Sequence, residues 1–282
     1  MEGKSGLLKL HAAVALFGLA GVIGKYVSWP APAVTFGRVI FSSIFLLIFM
    51  LIKKEKLRLE CRKDYVIIIM AGAVMAVHWT SFIHSIQISS VAIGTITFAS
   101  FPLFVTFLEP VIFREKLKVS DLAAALVMIA GVAVTVPEFS LENTVTEGVI
   151  WGMISSFTYA VLSLMNRHFA GKYSGRKVCL YEQGTAAAVL LPFLFMFRPV
   201  SCNLSETAAV IFMGIFCTAI AHSMFISSLN KVKVQTAGII SGMETVYSIV
   251  FAVILLGDMI TLRELAGGAV ILAAAAYKTI KN

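Results

Sequence analysis

Charge is scarce in this chain. Of its 282 residues only 13% are Asp, Glu, Lys or Arg, and the acidic residues number 15. So few charged side chains cannot coat a globule of this length, while 59% of the residues are hydrophobic and 21 are Phe. A water-soluble domain is excluded, because a core that apolar needs a polar surface to cover it. Catalytic signatures are missing as well. Neither GxxxxGK[ST] nor HExxH occurs, so no nucleotide cradle and no zinc-hydrolase helix is encoded. The four cysteines, Cys61, Cys179, Cys202 and Cys217, show no CxxC spacing and no His at ligand distance, and they read as packing residues. No metal and no cofactor is expected, and the chain does not read as an enzyme. The net charge of +8 does not mark a nucleic-acid binder, because Lys and Arg lie in short clusters between apolar runs.

What is present is a series of long apolar runs. A helix needs roughly 20 apolar residues to cross about 30 Å of hydrocarbon. Suitable runs lie at 7–27, 33–52, 65–86, 91–112, 120–136, 148–167, 178–197, 207–229, 235–256 and 264–279. The first has no small-residue cleavage site and is read as a span, not a signal peptide. The fifth is the shortest, with Ser120 and Asp121 as its capped start. The predicted class is an all-α membrane protein of ten transmembrane helices.

Loop charge alternates with that count. Lys53, Lys54, Lys56, Arg58, Arg62 and Lys63 fall in one loop, Arg114, Lys116 and Lys118 in another, and Arg167, Lys172, Arg176 and Lys177 in a third on the same side. The opposite loops carry Arg198 and Arg263, with the acidic stretch PEFSLENTVTE at 137–147. Basic loops stay in the cytoplasm. Both termini are therefore expected on the cytoplasmic side of a bacterial-type plasma or inner membrane.

The chain also repeats itself. A shift of 143 lays 91–133 on 234–276 without a gap, matching Glu115 with Asp258, Asp121 with Glu264 and Val127 with Val270. Upstream, a shift of 142 pairs Phe17 with Tyr159, Lys25 with Arg167 and Gly72 with Gly214. Each repeat, 1–142 and 143–282, holds five helices. Five is odd, so the second repeat enters the membrane from the other side. Two inverted five-helix repeats are an architecture from which secondary transporters derive alternating access, with substrate near the midplane.

The blocks FPLFVTFLEPVIFREKLKVSDLAAALVMIAGV and METVYSIVFAVILLGDMITLRELAGGAVILAA carry a Pro or Glu-Pro type position, an acidic residue at the helix end, and a following helix of small residues. In these respects the chain resembles the drug/metabolite transporter superfamily, in particular its EamA-type ten-helix members, over nearly its whole length. One departure is Thr245, where the family places proline after the glutamate of the second repeat. The resemblance implies transport of amino acids or related metabolites.

Ionisable residues inside the spans are few, and each costs roughly 2.5–3.5 kcal/mol at mid-bilayer on insertion scales. Lys25, His84, Glu109 and Glu182 lie within about two turns of a helix end and are expected to reach the interface. Arg38 either reaches outward or points in as a fixed positive charge. His78, beside Trp79, and His222 sit at nearly equivalent levels of the two halves. Glu244 shares a helical face with Ser241, Tyr247 and Ser248, so the stripe should face the interior. A carboxyl in such an interior can exchange protons as its surroundings change. Phe101 is the position matched to Glu244 and, with Tyr159, Tyr247, Trp79 and Phe17, offers aromatic faces for a planar or cationic group. The fifth and tenth helices are expected to be scaffold. The bland alternatives are interhelical hydrogen bonds for the histidines and a neutral, packed Glu244. His78, His222 and Glu244 lie on three helices with no zinc-site spacing.

The leading reading is a proton-coupled exporter of small metabolites, acting as a monomer or dimer, with small-molecule substrate, protons and the lipid bilayer as its partners. The alternatives are an exporter of guanidinium or quaternary ammonium cations, or an uncoupled facilitator.

Overall fold

A computed structural model of the chain describes residues 2–113, 119–135, 140, 142–169, 171–196, 203–229 and 234–281. Every element among them is helical: α1 (Glu2–Tyr26), α2 (Ala31–Ile52), α3 (Arg62–Ile88), α4 (Val91–Phe98), α5 (Phe101–Phe113), α6 (Val119–Thr135), α7 (Thr144–Arg167), α8 (Gly175–Leu194), α9 (Leu204–Gly214), a π-helical turn Ile215–Ile220, α10 (Ala221–Leu229), α11 (Val234–Leu256) and α12 (Leu262–Lys281). α4 with α5, and α9 with the π turn and α10, each make one interrupted rod. The described residues thus form ten rods, at the places where the apolar runs predict them. Six of these helices are long and apolar enough to cross a membrane, and the shorter apolar helices Leu122–Thr135 and Ile240–Leu256 lie among the rest. Arg114, Lys116, Lys118, Arg198, Cys202, Lys231, Lys233 and residues 137–139 and 141 lie outside the described residues, as do the side chains of Ser120 and Asp121.

Local sequence sets the ends. Ser90 accepts from the Ile93 amide at 3.0 Å to start α4, and Asn143 accepts from Val145 at 2.9 Å to start α7. The interruption of the fourth rod falls at Ala99–Ser100, where Pro102 withholds an amide donor and the Ser100 hydroxyl bonds back to the Thr97 carbonyl at 2.6 Å. In α11 the matching position is Thr245, which has an amide, and the helix runs unbroken.

The two ends of the bundle are tied by polar contacts between early and late parts of the chain. Lys25 donates to the carbonyls of Ile86, Gln87 and Ser89, the last at 2.7 Å, while Gln87 donates back to Gly24, Val27 and Trp29. Each side chain covers the orphan carbonyls at the other helix's end. Lys25 therefore caps a helix and does not reach out to the interface. At that same end the Ser28 amide donates to Glu206 at 3.0 Å. At the opposite end Asp64, buried at the start of α3, receives Lys172 at 2.6 Å, Tyr173 at 2.5 Å and His168 at 3.0 Å.

Small residues let the rods approach. A Cβ at Gly72 would stand 2.6 Å from the Glu182 carbonyl oxygen of α8, and one at Gly214 would stand 2.8 Å from the Arg38 carbonyl oxygen of α2. Gly131 of α6 and Gly267 of α12 face each other in the same manner, and neither helix contributes to the cavity described below.

Two outcomes follow. Gly214→Ala should lower stability by about 1–3 kcal/mol, since the obstruction is backbone. Gly184→Ala, with nothing within 4 Å of the new methyl, should leave melting in detergent unchanged or raise it. The hydrogen bond from Lys172 to Asp64 holds the lysine above its ordinary value of 10.5. Its stabilising contribution is full below 10.5 and is lost as pH rises through the raised value. The melting-temperature gap between wild type and Asp64→Asn should accordingly persist at neutral pH and narrow in strong alkali.

Candidate functional site

Midway along the bundle, side chains from α1, α2, α3, α4, α7, α10 and α11 line a cavity of about 90 Å³, room for several water molecules. Arg38, His78, Trp79, Tyr159, His222, Ser241 and Glu244 are in its wall, with Phe17, Ala20, Phe82, Phe98 and Phe225. The wall is mostly aromatic, with a few polar groups converging on it, the usual make-up of a small-molecule site.

Arg38 points inward and is 4% exposed. Its guanidinium lies over the Trp79 ring, 3.9 Å from the centroid, and its Nε donates to the Thr218 hydroxyl at 2.8 Å. The π turn makes that bond possible. Thr218 Oγ1 also donates to the Met213 carbonyl five residues back, at 2.9 Å, so the widened turn swings Thr218 toward α2. The Gly214 contact holds α2 at that level.

Glu244 projects from the middle of α11 and has no hydrogen bond or ion pair among the described residues. It acts on Arg38 electrostatically, across the cavity. A carboxylate and a guanidinium thus face one space without neutralising each other in contact. No three His, Cys, Asp or Glu side chains among the described residues converge as metal ligands would.

His78 is 3% exposed, and its Nδ1 lies 2.9 Å from both the hydroxyl and the carbonyl oxygen of Ser155 on α7. It also sits 5.1 Å from the Tyr159 ring and 5.4 Å from that of Phe98. His222 lies between Phe17, at 4.7 Å, and Trp79, at 6.0 Å. Hydrogen bonding between helices and a place in the cavity wall are therefore both true of His78.

Two candidates stand back from the cavity. Tyr247 turns toward α1, where its hydroxyl meets His11 Nδ1 at 2.8 Å. Phe101 packs behind the wall on Phe98 and Tyr159, at 5.7 and 4.9 Å, because the break at Ala99–Ser100 turns it aside and leaves Phe98 in the lining. Among residues expected at the interface, Glu109 pairs with Arg167, and His84 sits edge-on to Trp151 at 4.9 Å. Glu182 differs from that expectation: it is 1% exposed, enclosed by the helices around α8. Thr218, Ser155, Phe82, Phe98 and Phe225 were not legible as site residues, and the repeat offered the one available signal, since Phe98 is matched to Ser241.

The fold and cavity define a multi-pass membrane protein with a small, mostly aromatic chamber between its helices on which a few polar groups converge. The sequence matches the EamA-like transporter family over residues 4–136 and again over 146–278, and the chain belongs to that family. It is 28% identical over 193 residues to an uncharacterized transporter of Archaeoglobus fulgidus, covering 68% of each chain. It is 21% identical to the uncharacterized transporter YxxF of Bacillus subtilis, over all of this chain and 91% of that one. It shares 21% identity with the uncharacterized inner membrane transporter YicL of Salmonella typhimurium, over 95% of this chain and 93% of the other. A solved structure titled "Crystal structure of protein" has the same fold, with a TM-score of 0.70 at 18% identity over 99% of this chain and 97% of that one.

Trp79 reports on the chamber. In a Trp29→Phe/Trp151→Phe variant, solutes that bind should shift or quench Trp79 emission, whereas a variant keeping only Trp151 should show no change.

Proposed function

We propose that the protein is a proton-coupled secondary transporter that exports a small zwitterionic metabolite, an amino acid or a close relative, by alternating access. The observation that carries this reading is the pairing of Glu244 and Arg38 across one cavity without contact. An ammonium group would sit at the carboxylate and a carboxylate at the guanidinium. With the substrate gone, Glu244 takes up a proton, which links solute to proton movement. Arg38 lying over Trp79 argues against the organic-cation alternative, since it fills the aromatic face that a quaternary ammonium would use.

Alternating access requires two halves, and we assign them to residues 1–142 and 143–282 in inverted orientation. Matched residues do matched work at opposite ends, which supports this. Asp64, at the start of α3, accepts from the 168–173 loop, and Glu206, 142 positions later at the start of α9, accepts from Ser28. Gly72 lies against α8 as Gly214 lies against α2. The matched pairs Phe17 and Tyr159, and Phe98 and Ser241, all line the cavity. The two acidic contacts are then gates, one opening at a time. The clustering of Lys53, Lys54, Lys56, Arg58, Lys172 and Arg176 at the Asp64 end supports placing that end, and both termini, in the cytoplasm.

The test is uptake into proteoliposomes under an imposed pH gradient. Wild type should accumulate a zwitterion, Glu244→Gln should fall to the level of empty vesicles, and Arg38→Gln should lose zwitterions. Uptake by wild type that ignores the gradient would leave a downhill facilitator. Loss in Glu244→Gln with none in Arg38→Gln would instead indicate a cation substrate.

A further inference from the structure

The transport cycle outlined above makes no use of Glu182, a carboxylate that is 1% exposed. Glu182 lies seven residues into α8, about 10 Å of helix rise from the end that carries the 168–174 loop. The side chain of Asn166 on α7 stands beside it, and the amide of Asn166 has N–H groups as its only donors. One pair of atoms is mismatched: Glu182 Oε1 and Asn166 Oδ1 are both acceptors, both buried, and neither has a hydrogen-bond partner. An unpartnered buried acceptor has lost its water and gained nothing in exchange. One proton on Glu182 satisfies both, because a carboxylic acid and a primary amide form a closed ring in which the amide N–H donates to the acid carbonyl and the acid O–H donates to the amide oxygen.

The titratable groups in the field of Glu182 are Cys179, about one turn along the same helix, and Tyr159 on α7. No charged group from α2, α3 or α10, which also pack against α8, acts on it among the described residues. Tyr159 also lines the cavity and lies in the field of both Glu182 and Glu244. Asn166 is two turns further along α7 from Tyr159, on the same face. The line from Glu244 through Tyr159 to Asn166 and Glu182 therefore runs from the cavity toward one end of the bundle.

We propose that Glu182 and Asn166 form a second proton-binding site, placed between the central cavity and the 168–174 end, through which protons enter or leave Glu244. This rests on the proton-coupled reading of the cavity, but Glu182 can be tested without it.

The experiment is a pH-difference infrared spectrum of the purified full-length protein, read in the carboxylic-acid C=O region. Among the titrating buried-acid bands of wild type, Glu182→Gln should lose one and Glu244→Gln a different one. Asn166→Leu should keep the Glu182 band but displace it, as expected when the ring partner is removed. In proteoliposomes, Glu182→Gln should slow substrate-coupled proton flux. Loss of the Glu182 band alongside wild-type uptake that ignores a pH gradient would support the site and overturn the coupled reading. A spectrum that Glu182→Gln leaves unchanged would overturn the site whatever the transport result, as would a Glu182 band whose titration moves with sodium concentration.

Discussion

Where α3 meets α8, and where α9 meets α2, a glycine lets the backbone of one helix come up against a carbonyl oxygen and a Cβ of the other. In hydrocarbon no hydrophobic effect draws helices together, so close packing has to supply much of the attraction. Gly72 and Gly214 are the positions that permit it. These two contacts fix the height of α2 against α9 and of α8 against α3, and with it the level at which Arg38 and Glu182 stand. The π turn after Gly214 adds the last adjustment, turning Thr218 to meet the guanidinium. The chamber takes its shape from this framework.

Polar groups in such a framework have one direction to face. Lipid offers no hydrogen bonds, so a buried donor or acceptor is best placed where it finds a partner in the bundle or faces a chamber able to hold water or solute. Lys25, Gln87 and Ser155 take the first course, and Glu244 takes the second. Under the shift of 142 or 143, Arg38, Glu182 and Glu244 correspond to Leu180, Ile40 and Phe101. The charged residues thus sit where the two parts of the sequence differ, while the glycines and the acidic end contacts sit where they agree.

The ten rods were legible because a span is a matter of length and apolarity, both readable in one dimension. Glu244 and His222 were legible as interior groups for a related reason: nothing near them in sequence would keep them in water. Direction around a helix was harder. Tyr247, three residues past Glu244, lies about 60° to one side, enough to carry it from the cavity to His11 on α1. Phe101 was expected opposite Glu244 from the repeat, but its helix breaks two residues earlier than an unbroken match allows. Glu182 was misread because depth was counted from the helix end, whereas its enclosure comes from neighbours that no local pattern reveals. Thr218 and Ser155 were silent for the same reason, being ordinary hydroxyl residues until a tertiary contact employs them.

The break at Ala99–Ser100 has a mechanical corollary. One wall of the chamber hangs on a rod with an elbow, and the facing wall hangs on α11, a straight beam of 23 residues. An elbow yields by bending at one place, while a beam can only tilt as a whole and must drag its neighbours along. Displacing the two walls therefore involves different amounts of protein, a local bend on one side and a whole helix on the other.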